Sequence, residues 1–449
     1  MKKRMIIVSF VLGFLYSENA ASCAFGFPSN EKKFSENSGT TQTRIDESNF
    51  VQSANFDAIY RNLPETGTTT RDFAFFTANP KSQKVFQPHL ERIKLINCRN
   101  LQKIFDQQKS IPQLSATEHY SGPAALELAQ SGKKVAVLIF ADSTNVGGIY
   151  LTKEGNPAGT QEEQTVLMAP EIYGFLGNNF GVNDIAGNGD GRYSAQQKRY
   201  SLNKDDYENL EVINPAYGFI LTNLLITHDV ERCSKMIKLP KDKVVEISYA
   251  FLSMPSFATD VSWDPIGAML INQSGEKDGE SIYRRMKNAL SILRKDKDVG
   301  RNISDRAVTI DIGKIAIFYS AEKLQNFSKK YLKKDLNPSN IIAEIVKLKL
   351  QKSEKVLSIF EEAQRNYEKC VLNKFTNLIR GAETAGADTL VLGKIGCGAF
   401  LNDENEIARL MGKALSECRS VKYVYFAGLN KTDPFVEKVK AAIEKNFQH

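Results

Sequence analysis

The sequence predicts an α/β fold in which helices cover a β-sheet on both faces. From about residue 92, short runs rich in β-branched residues alternate with segments of helical periodicity, and this alternation is typical of layered α/β domains. The predicted strands are nearly all apolar, as expected when both faces of a sheet are buried. A composition of 42% hydrophobic and 25% charged residues fits a globular protein with a sizeable core.

The first 24 residues have the layout of a secretory signal peptide. Residues 2–4 are basic, an apolar run follows at 5–16, and small residues stand at 20–24. The apolar run is shorter than the roughly 20 residues that a membrane span needs. We therefore expect a secreted or periplasmic protein, with delivery into a host cell as a further option, and no stable membrane span in the rest of the chain. An uncleaved anchor and a mistaken start codon are the alternatives.

The signal peptide is followed by a variable N-terminal region, 25–88. Residues 29–48 are polar and nearly devoid of large apolar groups, which predicts a flexible linker. The stretch 49–88 has scattered aromatic residues without a clear period, so we expect it to be irregular or helical. The main domain is predicted at 89–449, with an inserted region at about 255–335 that is rich in Lys, Arg, Asp and Ser.

Within the main domain, hydrophobic patterns predict the strands and helices in order. Strands are predicted at 92–97, 134–140, 218–225, 244–250, 314–319, 388–394 and 421–427. Helices are predicted at 122–131, 161–177, about 338–380 and 403–418. Asn337 followed by Pro338 predicts the start of the third helix. Asn402 is the predicted N-cap of the last one, whose first turn holds the acidic residues Asp403 and Glu404.

Cysteine, histidine and net charge limit the classes of site. The six cysteines form no CxxC pair, and the four histidines are scattered, so we expect no metal site and no cofactor. The net charge of +7 favours a polyanionic partner without specifying its class. We find no aromatic and basic stripe of the nucleic-acid-binding kind, so DNA is not an expected partner.

The loop after the strand at 134–140 carries the first candidate site. Gly147 and Gly148 follow a buried strand, where glycines allow backbone N–H groups to approach a phosphate. Glycines are also common in ordinary turns at strand ends. Gln161-Glu162-Glu163 comes next. A capping box formed by Thr160 and Glu163 is a purely structural explanation of that run.

This segment resembles the signature of poly(ADP-ribose) glycohydrolases. The matching residues, in order, are Phe140-Ala141, Gly147-Gly148, Gln161-Glu162-Glu163 and Pro170-Glu171. The chain departs from the family pattern at Ile149, which replaces a third glycine, and in the length of the stretch before Gln161. Asp142 also stands where the family has asparagine or serine. These departures bear on the shape of the loop over the distal ribose and therefore on substrate preference.

A second glycine loop follows the strand predicted at 388–394. It reads Gly396-Cys397-Gly398-Ala399-Phe400 and leads into a helix. Glycines between a strand and a helix suit a phosphate cradle, although a lone glycine pair is weak evidence and the acidic first turn disfavours phosphate at the helix end itself. The segment is similar to the element of bacterial glycohydrolase-type macrodomains whose glycine loop cradles the diphosphate. The resemblance implies that Phe400 lines the distal-ribose side and that Cys397 is not a nucleophile.

Together the two loops imply a macrodomain-like three-layer α/β/α sandwich with a mixed central sheet. The implied activity is hydrolysis of the ribose glycosidic bond of poly(ADP-ribose) or of ADP-ribosylated protein, with Glu163 as acid and base and Glu162 beside it orienting the ribose and raising the pKa of Glu163. The implied substrate-binding residues are Asp142, Asn145, Gly147, Gly148, Gln161, Gly396, Cys397, Gly398, Ala399 and Phe400.

Several alternatives remain open at this point. The chain is a hydrolase of poly(ADP-ribose), a hydrolase of mono-ADP-ribose on a protein such as ubiquitin, or a module that binds ADP-ribose without cleaving it. The carboxylates of Glu162 and Glu163 argue against the binding module, because binding alone does not need both. No feature of the sequence specifies the linkage or the target protein, and we expect a monomer.

Overall fold

The computed structural model describes residues 51, 54–78, 80–98, 108–141, 161–172, 218–231, 235–258, 282–296, 305–398 and 400–447. These residues form a mixed α/β structure around one large sheet, so the predicted α/β class is confirmed. The predicted signal peptide and the predicted linker at 29–48 lie outside the described residues, as do most of the first loop and residues 259–281 and 297–304 of the inserted region. Among the described helices, each is too short or too polar to span a bilayer.

Seven of the described strands form the large sheet. They are β1 (Lys94–Asn97), β2 (Gln113–Thr117), β3 (Val135–Phe140), β4 (Phe219–Ile226), β7 (Val245–Leu252), β8 (Thr389–Leu392) and β9 (Tyr423–Ala427), in the spatial order β1-β4-β7-β3-β8-β9-β2. β5 (His228–Glu231) and β6 (Lys235–Lys238) form a separate antiparallel pair. β3 lies between β7 and β8 and is parallel to both, so the loops after these three strands leave the same edge of the sheet.

The remaining neighbours explain why the sheet is mixed. β9 is parallel to β8 and to β2. β4 is antiparallel to both β1 and β7, and its pairing with β7 shifts register between Leu221 and Leu224. Asn223, inside that irregularity, has a φ of 61° and donates a side-chain hydrogen bond to the Arg92 carbonyl. Asparagine tolerates this left-handed backbone better than the neighbouring leucines would.

Helices lie before, between and after the strands. They are α1 (Ala54–Asn62), α2 (Thr70–Ala78), α3 (Pro80–Leu90), α4 (Ser121–Gln130), α5 (Gln161–Leu167), α6 (Ile282–Lys295), α7 (Asp305–Phe318), α8 (Ala321–Phe327), α9 (Pro338–Leu350), α10 (Leu357–Thr384), α11 (Glu404–Leu415) and α12 (Pro434–Phe447). Short 3₁₀ or π segments occur at Lys241–Lys243, Ser328–Leu332 and Glu354–Val356.

The two faces of the sheet bury different sets of side chains. On β3, Val135, Val137 and Ile139 belong to a core shared with the helices before β1 and with α4 and α5. Ala136 and Leu138 face a second core, shared with the helices from α6 onwards. Successive residues of a strand point to opposite faces, so an apolar strand such as β3 needs cover on both sides. This explains the unbroken hydrophobic runs that predicted it.

The N-terminal region is helical where it is described. α1, α2 and α3 bury Phe56, Phe73 and Phe86, each with at most 1% of its surface exposed, in the first of these cores. The aromatic residues that showed no clear period in the sequence are therefore core residues on three short helices. Residues 54–78 and 80–90 belong to the folded domain rather than to a flexible region.

The strand predicted at 314–319 is wrong, because these residues lie in and just after α7. Ile315 and Phe318 have no exposed surface. A short apolar run fits a buried strand and a buried helix equally well by periodicity alone. Here the run packs among the helices α6, α9 and α10, whose buried residues belong to the same core, and it is helical.

Three other helix predictions need correction at their ends. The helix predicted at 161–177 is shorter, because α5 ends at Leu167 and turns follow before Pro170. The helix predicted at 338–380 is two helices, α9 and α10, separated near Lys352, whose φ of 60° is incompatible with a continuous helix. Asn337 does cap α9 by accepting a hydrogen bond from the Asn340 amide. At the last of the three, however, Asp403 is the N-cap and Asn402 is not. The strand β2 and the β5–β6 pair were missed because their sequences mix polar and apolar residues.

Candidate functional site

The candidate site lies where β3, β7 and β8 end at the same edge of the sheet. The Ala141 amide donates to the Leu252 carbonyl at 3.1 Å, which joins the ends of β3 and β7. The Phe140 ring lies so close to Gly393 that a Cβ atom on Gly393 would be 2.7 Å from it. This contact joins the ends of β3 and β8. Ligands of parallel α/β sheets bind at this edge.

Gln161 attaches the start of α5 to the end of β3. Its Oε1 accepts a hydrogen bond from the Phe140 amide at 2.8 Å, and its Nε2 donates to the Leu138 carbonyl at 2.7 Å. The side-chain amide thus satisfies two backbone groups of a strand end that would otherwise lack partners. Gln161 is predicted from the sequence to bind substrate, whereas in the structure its side-chain amide positions the start of α5.

The two candidate catalytic carboxylates follow Gln161 directly. Glu162 is the second residue of α5, and its side chain is only 1% exposed. Glu163 is the third residue of α5, and its side chain lies outside the described part of the structure. Because Gln161 fixes the start of this helix against β3, the backbone of both glutamates is held at the edge where β3, β7 and β8 end.

Further along α5, buried polar groups hold the helix against the sheet. The Tyr249 hydroxyl on β7 donates to the Thr165 carbonyl at 2.5 Å. Tyr249 has no exposed surface, and burial together with the negative charge of Glu171 raises its pKa well above the ordinary value. The hydroxyl therefore remains protonated, and a donor, at neutral pH.

Pro170-Glu171, the last part of the first matching segment, is buried beneath the site. Glu171 Oε1 accepts a hydrogen bond from the Leu225 amide in β4 at 2.7 Å. The same oxygen lies 3.4 Å from His89 Nε2, and neither side chain has exposed surface. The Thr227 amide donates to the Met168 carbonyl at 3.1 Å nearby. The carboxylate thus links α3, α5 and β4 and is a structural group.

Four of the predicted ligand contacts in the first loop, Asp142, Asn145, Gly147 and Gly148, lie outside the described residues. Ala399 of the second loop does so as well. Their roles stay predictions.

The second loop is shaped by Gly396 and Asn402. Gly396 has a φ of +73°, and a Cβ atom added to it would lie 2.8 Å from both Met254 Cβ and Asn402 Nδ2. Asn402 has no exposed surface. Its Nδ2 donates to the carbonyls of Pro255 at 2.7 Å and Gly396 at 3.1 Å, and its Oδ1 accepts from the Tyr367 hydroxyl at 3.0 Å.

Asn402 is thus a structural residue of the second loop, and its predicted role as the helix N-cap is wrong. Its side chain connects the second loop to the segment after β7 and to α10. A second contact between the same segments runs from the Phe257 amide to the Phe400 carbonyl at 2.9 Å. The signal in the sequence was the pair Asn402-Asp403, of which either residue type is a good N-cap. Only the tertiary contacts show that Asp403 caps the helix while Asn402 faces the interior.

The backbone of the second loop leaves donors available. Within the described residues, the amides of Gly396, Gly398 and Phe400 donate to no hydrogen-bond acceptor. Gly398 is exposed, and apart from its two chain neighbours no described residue has an atom within 4 Å of the place where its Cβ would be. Backbone N–H groups without a protein acceptor are suited to bind phosphate oxygens.

Cys397 is not an activated nucleophile. Burial, followed by the nearby Glu404, raises the pKa of its thiol to about 12. The Sγ atom lies 3.6 Å from the Ile395 carbonyl, to which it donates. A thiol with so high a pKa stays protonated at neutral pH, whereas the thiolate is the reactive form.

Lys374 is a buried cation near the same edge. It lies on α10, is 1% exposed, and donates to the Ser253 carbonyl at 2.9 Å directly after β7. Burial lowers the pKa of its amine to about 8. Lys374 occupies a helical position between Val371, Phe375 and Leu378, all of which are buried. A lysine in an apolar helical stripe is the signal by which the sequence could have revealed it. Among the described residues, no group of three or more His, Cys, Asp or Glu side chains could hold a metal ion.

No protein-family model matches the chain, and no curated protein matches it either. Solved structures do. Poly(ADP-ribose) glycohydrolase from Thermomonospora curvata is 12% identical, with a TM-score of 0.38, covering 84% of this chain and 99% of that chain. Its complex with the inhibitor ADP-HPD is also 12% identical, with a TM-score of 0.38 and coverage of 84% and 98%.

Poly(ADP-ribose) glycohydrolase from Deinococcus radiodurans, in complex with ADP-ribose, is 15% identical. The structural alignment covers 80% of this chain and 97% of the Deinococcus chain, with a TM-score of 0.34. Identities and TM-scores this low leave the function to be argued from the chain's own residues.

Proposed function

We propose that the chain is an ADP-ribose glycohydrolase that cleaves the glycosidic bond at the distal ribose, with Glu163 as the general acid and base. The observation that carries this proposal is the attachment of Gln161-Glu162-Glu163 to the end of β3. A capping box alone would explain Glu163, but it would not require the Gln161 side chain to join α5 to the strand end beside the second glycine loop.

In the proposed reaction, Glu163 donates a proton to the leaving-group oxygen as the bond to ribose C1″ breaks. The transition state resembles an oxocarbenium ion. Glu163, now a carboxylate, accepts a proton from the water that attacks C1″, and the starting protonation state returns. Since the Glu162 side chain is 1% exposed, we assign proton transfer to Glu163 alone. Glu162 keeps the proposed roles of orienting the ribose and raising the pKa of Glu163.

The second glycine loop is the proposed binding site for the diphosphate. Its support is the set of available amides at Gly396, Gly398 and Phe400 and the rigid attachment of the loop through Asn402. Phe400 is half-buried against the core, which is compatible with the proposed contact of its exposed part with the ribose. The macrodomain-type three-layer sandwich belongs to the same proposal and is supported by the burial of both faces of β3.

The test is release of ADP-ribose by the purified chain, from poly(ADP-ribose) and from mono-ADP-ribosylated proteins including ubiquitin. We expect Glu163→Gln to lower the rate by about 10²- to 10⁴-fold, because general acid and base catalysis contributes that much. Glu361→Gln, an exposed glutamate on α10 with a side chain that is 65% exposed, is the matched control and should leave the rate unchanged.

The outcomes separate the alternatives. A preference for one substrate would show whether the chain cleaves poly(ADP-ribose) or removes single ADP-ribose units from proteins. Retained ADP-ribose binding without release from any substrate would favour the non-catalytic binding module instead. Absence of binding as well would overturn the ligand assignment.

We also propose that residues 1–24 export the protein, on the basis of the basic, apolar and small-residue order of that segment. A C-terminally tagged chain should appear outside the cytoplasm of the producing cell in a processed form. Full-length protein retained in the cytoplasm would contradict export.

A further inference from the structure

We infer that Arg306, from the inserted region, is a cationic contact for the diphosphate group bound at the second glycine loop. The inference deepens the proposed function and rests on it for the place of the ligand. It assigns to the inserted region a part in ligand recognition, and it names the ligand class as a nucleoside diphosphate or its esters.

Arg306 is the second residue of α7, and its guanidinium reaches the second glycine loop. Nη2 donates to the Cys397 carbonyl at 3.4 Å, and the residue is exposed. This is a long hydrogen bond to a neutral acceptor, and it uses one of five guanidinium donors. Within the described residues, Arg306 has no carboxylate partner. Its remaining donors are available at the mouth of the loop.

α7 is held firmly beside the loop, so the position of Arg306 is defined by the fold. A Cβ atom on Gly313 would lie 2.4 Å from the Phe257 ring, which shows how closely α7 approaches the segment after β7. The Phe257 amide in turn donates to the Phe400 carbonyl at the end of the loop. Lys314 on α7 also binds Glu406 on α11 at 2.7 Å.

Lys394 and Asp403, two other charged residues described near the loop, are already engaged. Lys394 binds Glu404 at 2.8 Å and Asp433 at 3.1 Å. The Asp403 carboxylate accepts the Asn405 and Glu406 amides as the N-cap of α11. Of the charged side chains named here from the described residues, Arg306 is therefore the cation that remains for an anion at the available amides of the loop. Lys394 partly neutralises the acidic first turn of α11.

The chemistry of the guanidinium suits a diphosphate. Arginine presents planar, paired N–H donors that match phosphate oxygens, and charge-assisted hydrogen bonds are roughly twice as strong as neutral ones. The backbone amides of the loop and the guanidinium of Arg306, which reaches the loop from α7, can bind different oxygens of the same diphosphate. An adenosine base or a ribose offers no negative charge to such a group, so the effect of Arg306 should be confined to ligands with phosphate.

The experiment measures affinity of the full chain for ADP-ribose, ADP and adenosine by calorimetry. Arg306→Gln should lower the affinity for ADP-ribose and for ADP about tenfold to hundredfold, which is the contribution expected of a hydrogen bond to a charged group. The affinity for adenosine should not change. Arg306→Lys should restore part of the affinity, because it keeps the charge and loses the paired geometry. Arg365→Gln is the matched control: Arg365 is 67% exposed on α10 and pairs with Glu361.

The results distinguish this inference from the proposed function. Loss of ADP affinity in Arg306→Gln, in a chain that releases no ADP-ribose from any substrate, would support the inference and overturn the hydrolase. Unchanged affinity of Arg306→Gln for both phosphate ligands, in a chain that does release ADP-ribose, would overturn the inference alone. A wild-type chain that binds neither ADP nor ADP-ribose would overturn both. An equal loss of affinity for adenosine would show that the substitution acts on the fold, and this result too would overturn the inference.

Discussion

Glu171 carries a carboxylate with no exposed surface behind the helix of the candidate catalytic residues. One oxygen accepts the Leu225 amide at 2.7 Å and lies 3.4 Å from His89 Nε2. A buried amide that loses its acceptor keeps the full cost of its desolvation. The residue therefore contributes through the groups it satisfies, on β4 and α3, more than through any contact with solvent or ligand.

Glu171→Ala should lower the free energy of unfolding by about 2–4 kcal/mol, from the unpaired Leu225 amide and the cavity left behind. Glu171→Gln should cost less, because the amide oxygen can still accept the Leu225 hydrogen bond. Urea denaturation of both variants measures the difference. Equal losses would show that the negative charge near His89, rather than the acceptor, stabilises the fold.

His228 is a second buried titratable group, at the start of β5. Its Nε2 lies 3.0 Å from the Pro64 carbonyl, which can only accept, so Nε2 carries the hydrogen. Nδ1 then accepts from the Thr227 hydroxyl at 2.9 Å. Burial is the main cause that lowers the pKa of His228 from 6.5 to about 4, with a smaller effect of Lys238, while the Pro64 hydrogen bond and Glu65 oppose it.

The pKa of His228 predicts a loss of stability in mild acid. Above pH 6.5 the ring is neutral in both states, and its contribution is fully present. As the pH falls from 6.5 towards about 4, the unfolded chain binds a proton that the folded chain does not, and unfolding becomes easier by at most about 3 kcal/mol. His228→Gln should flatten that part of the curve of unfolding free energy against pH. An unaltered slope in this variant would assign the acid sensitivity to other groups.

Among the elements, the second glycine loop is the one whose shape depends most on single residues. It contains two glycines that meet opposite surroundings. At Gly396 the backbone is left-handed, and added atoms would meet Met254 and Asn402. At Gly398 the surroundings are open. The first glycine is required by the fold, and the second lies in the space proposed for the diphosphate.

The two alanine variants should therefore separate stability from binding. Gly396→Ala should destabilise the protein by about 1–3 kcal/mol or more, from strain at positive φ and from the close contacts. Gly398→Ala should leave the thermal midpoint nearly unchanged but weaken ADP-ribose binding, since the new methyl group occupies the space proposed for the diphosphate. If Gly398→Ala bound ADP-ribose normally, the diphosphate would have to lie elsewhere.

Across the whole molecule, the inserted region shares its core with the sheet. Leu290 on α6 and Ile312 on α7 belong to the same buried cluster as Leu138 of β3 and Phe426 of β9. No separate core within the described part of the insertion would allow these helices to unfold alone. Elements that share one core unfold together in a cooperative transition.

Leu290→Ala should thus destabilise the whole chain by about 2–4 kcal/mol and shift a single unfolding transition. Circular dichroism and hydrogen exchange of amides in β3, followed across a urea series, should move together. Ser291→Ala, at the next and exposed position of α6, is the matched control with little expected effect. An early transition confined to helix content, with β3 still protected, would show that the inserted helices form a separate unit.

Much of the fold was predictable because the interior strands are apolar on both faces. β3 is an unbroken hydrophobic run, and β4, β7 and β8 are mainly apolar; all four were predicted as strands and are strands. The same rule failed at 314–319, where an apolar run is the inner part of α7. Periodicity cannot distinguish these cases, since a helix buried on all sides and a strand buried on both faces have the same composition.

The sequence by itself determined the α/β class, the two glycine loops and the Gln161-Glu162-Glu163 run, because these depend on local patterns and on the order of residues along the chain. Only the tertiary structure decided which polar residues face inwards. Asn402, predicted as a helix cap, is the central contact of the second loop in the structure. Arg306 of the insertion donates a hydrogen bond to the Cys397 carbonyl. These roles depend on contacts between residues far apart in the chain, and such contacts leave no local pattern in the sequence from which to infer them.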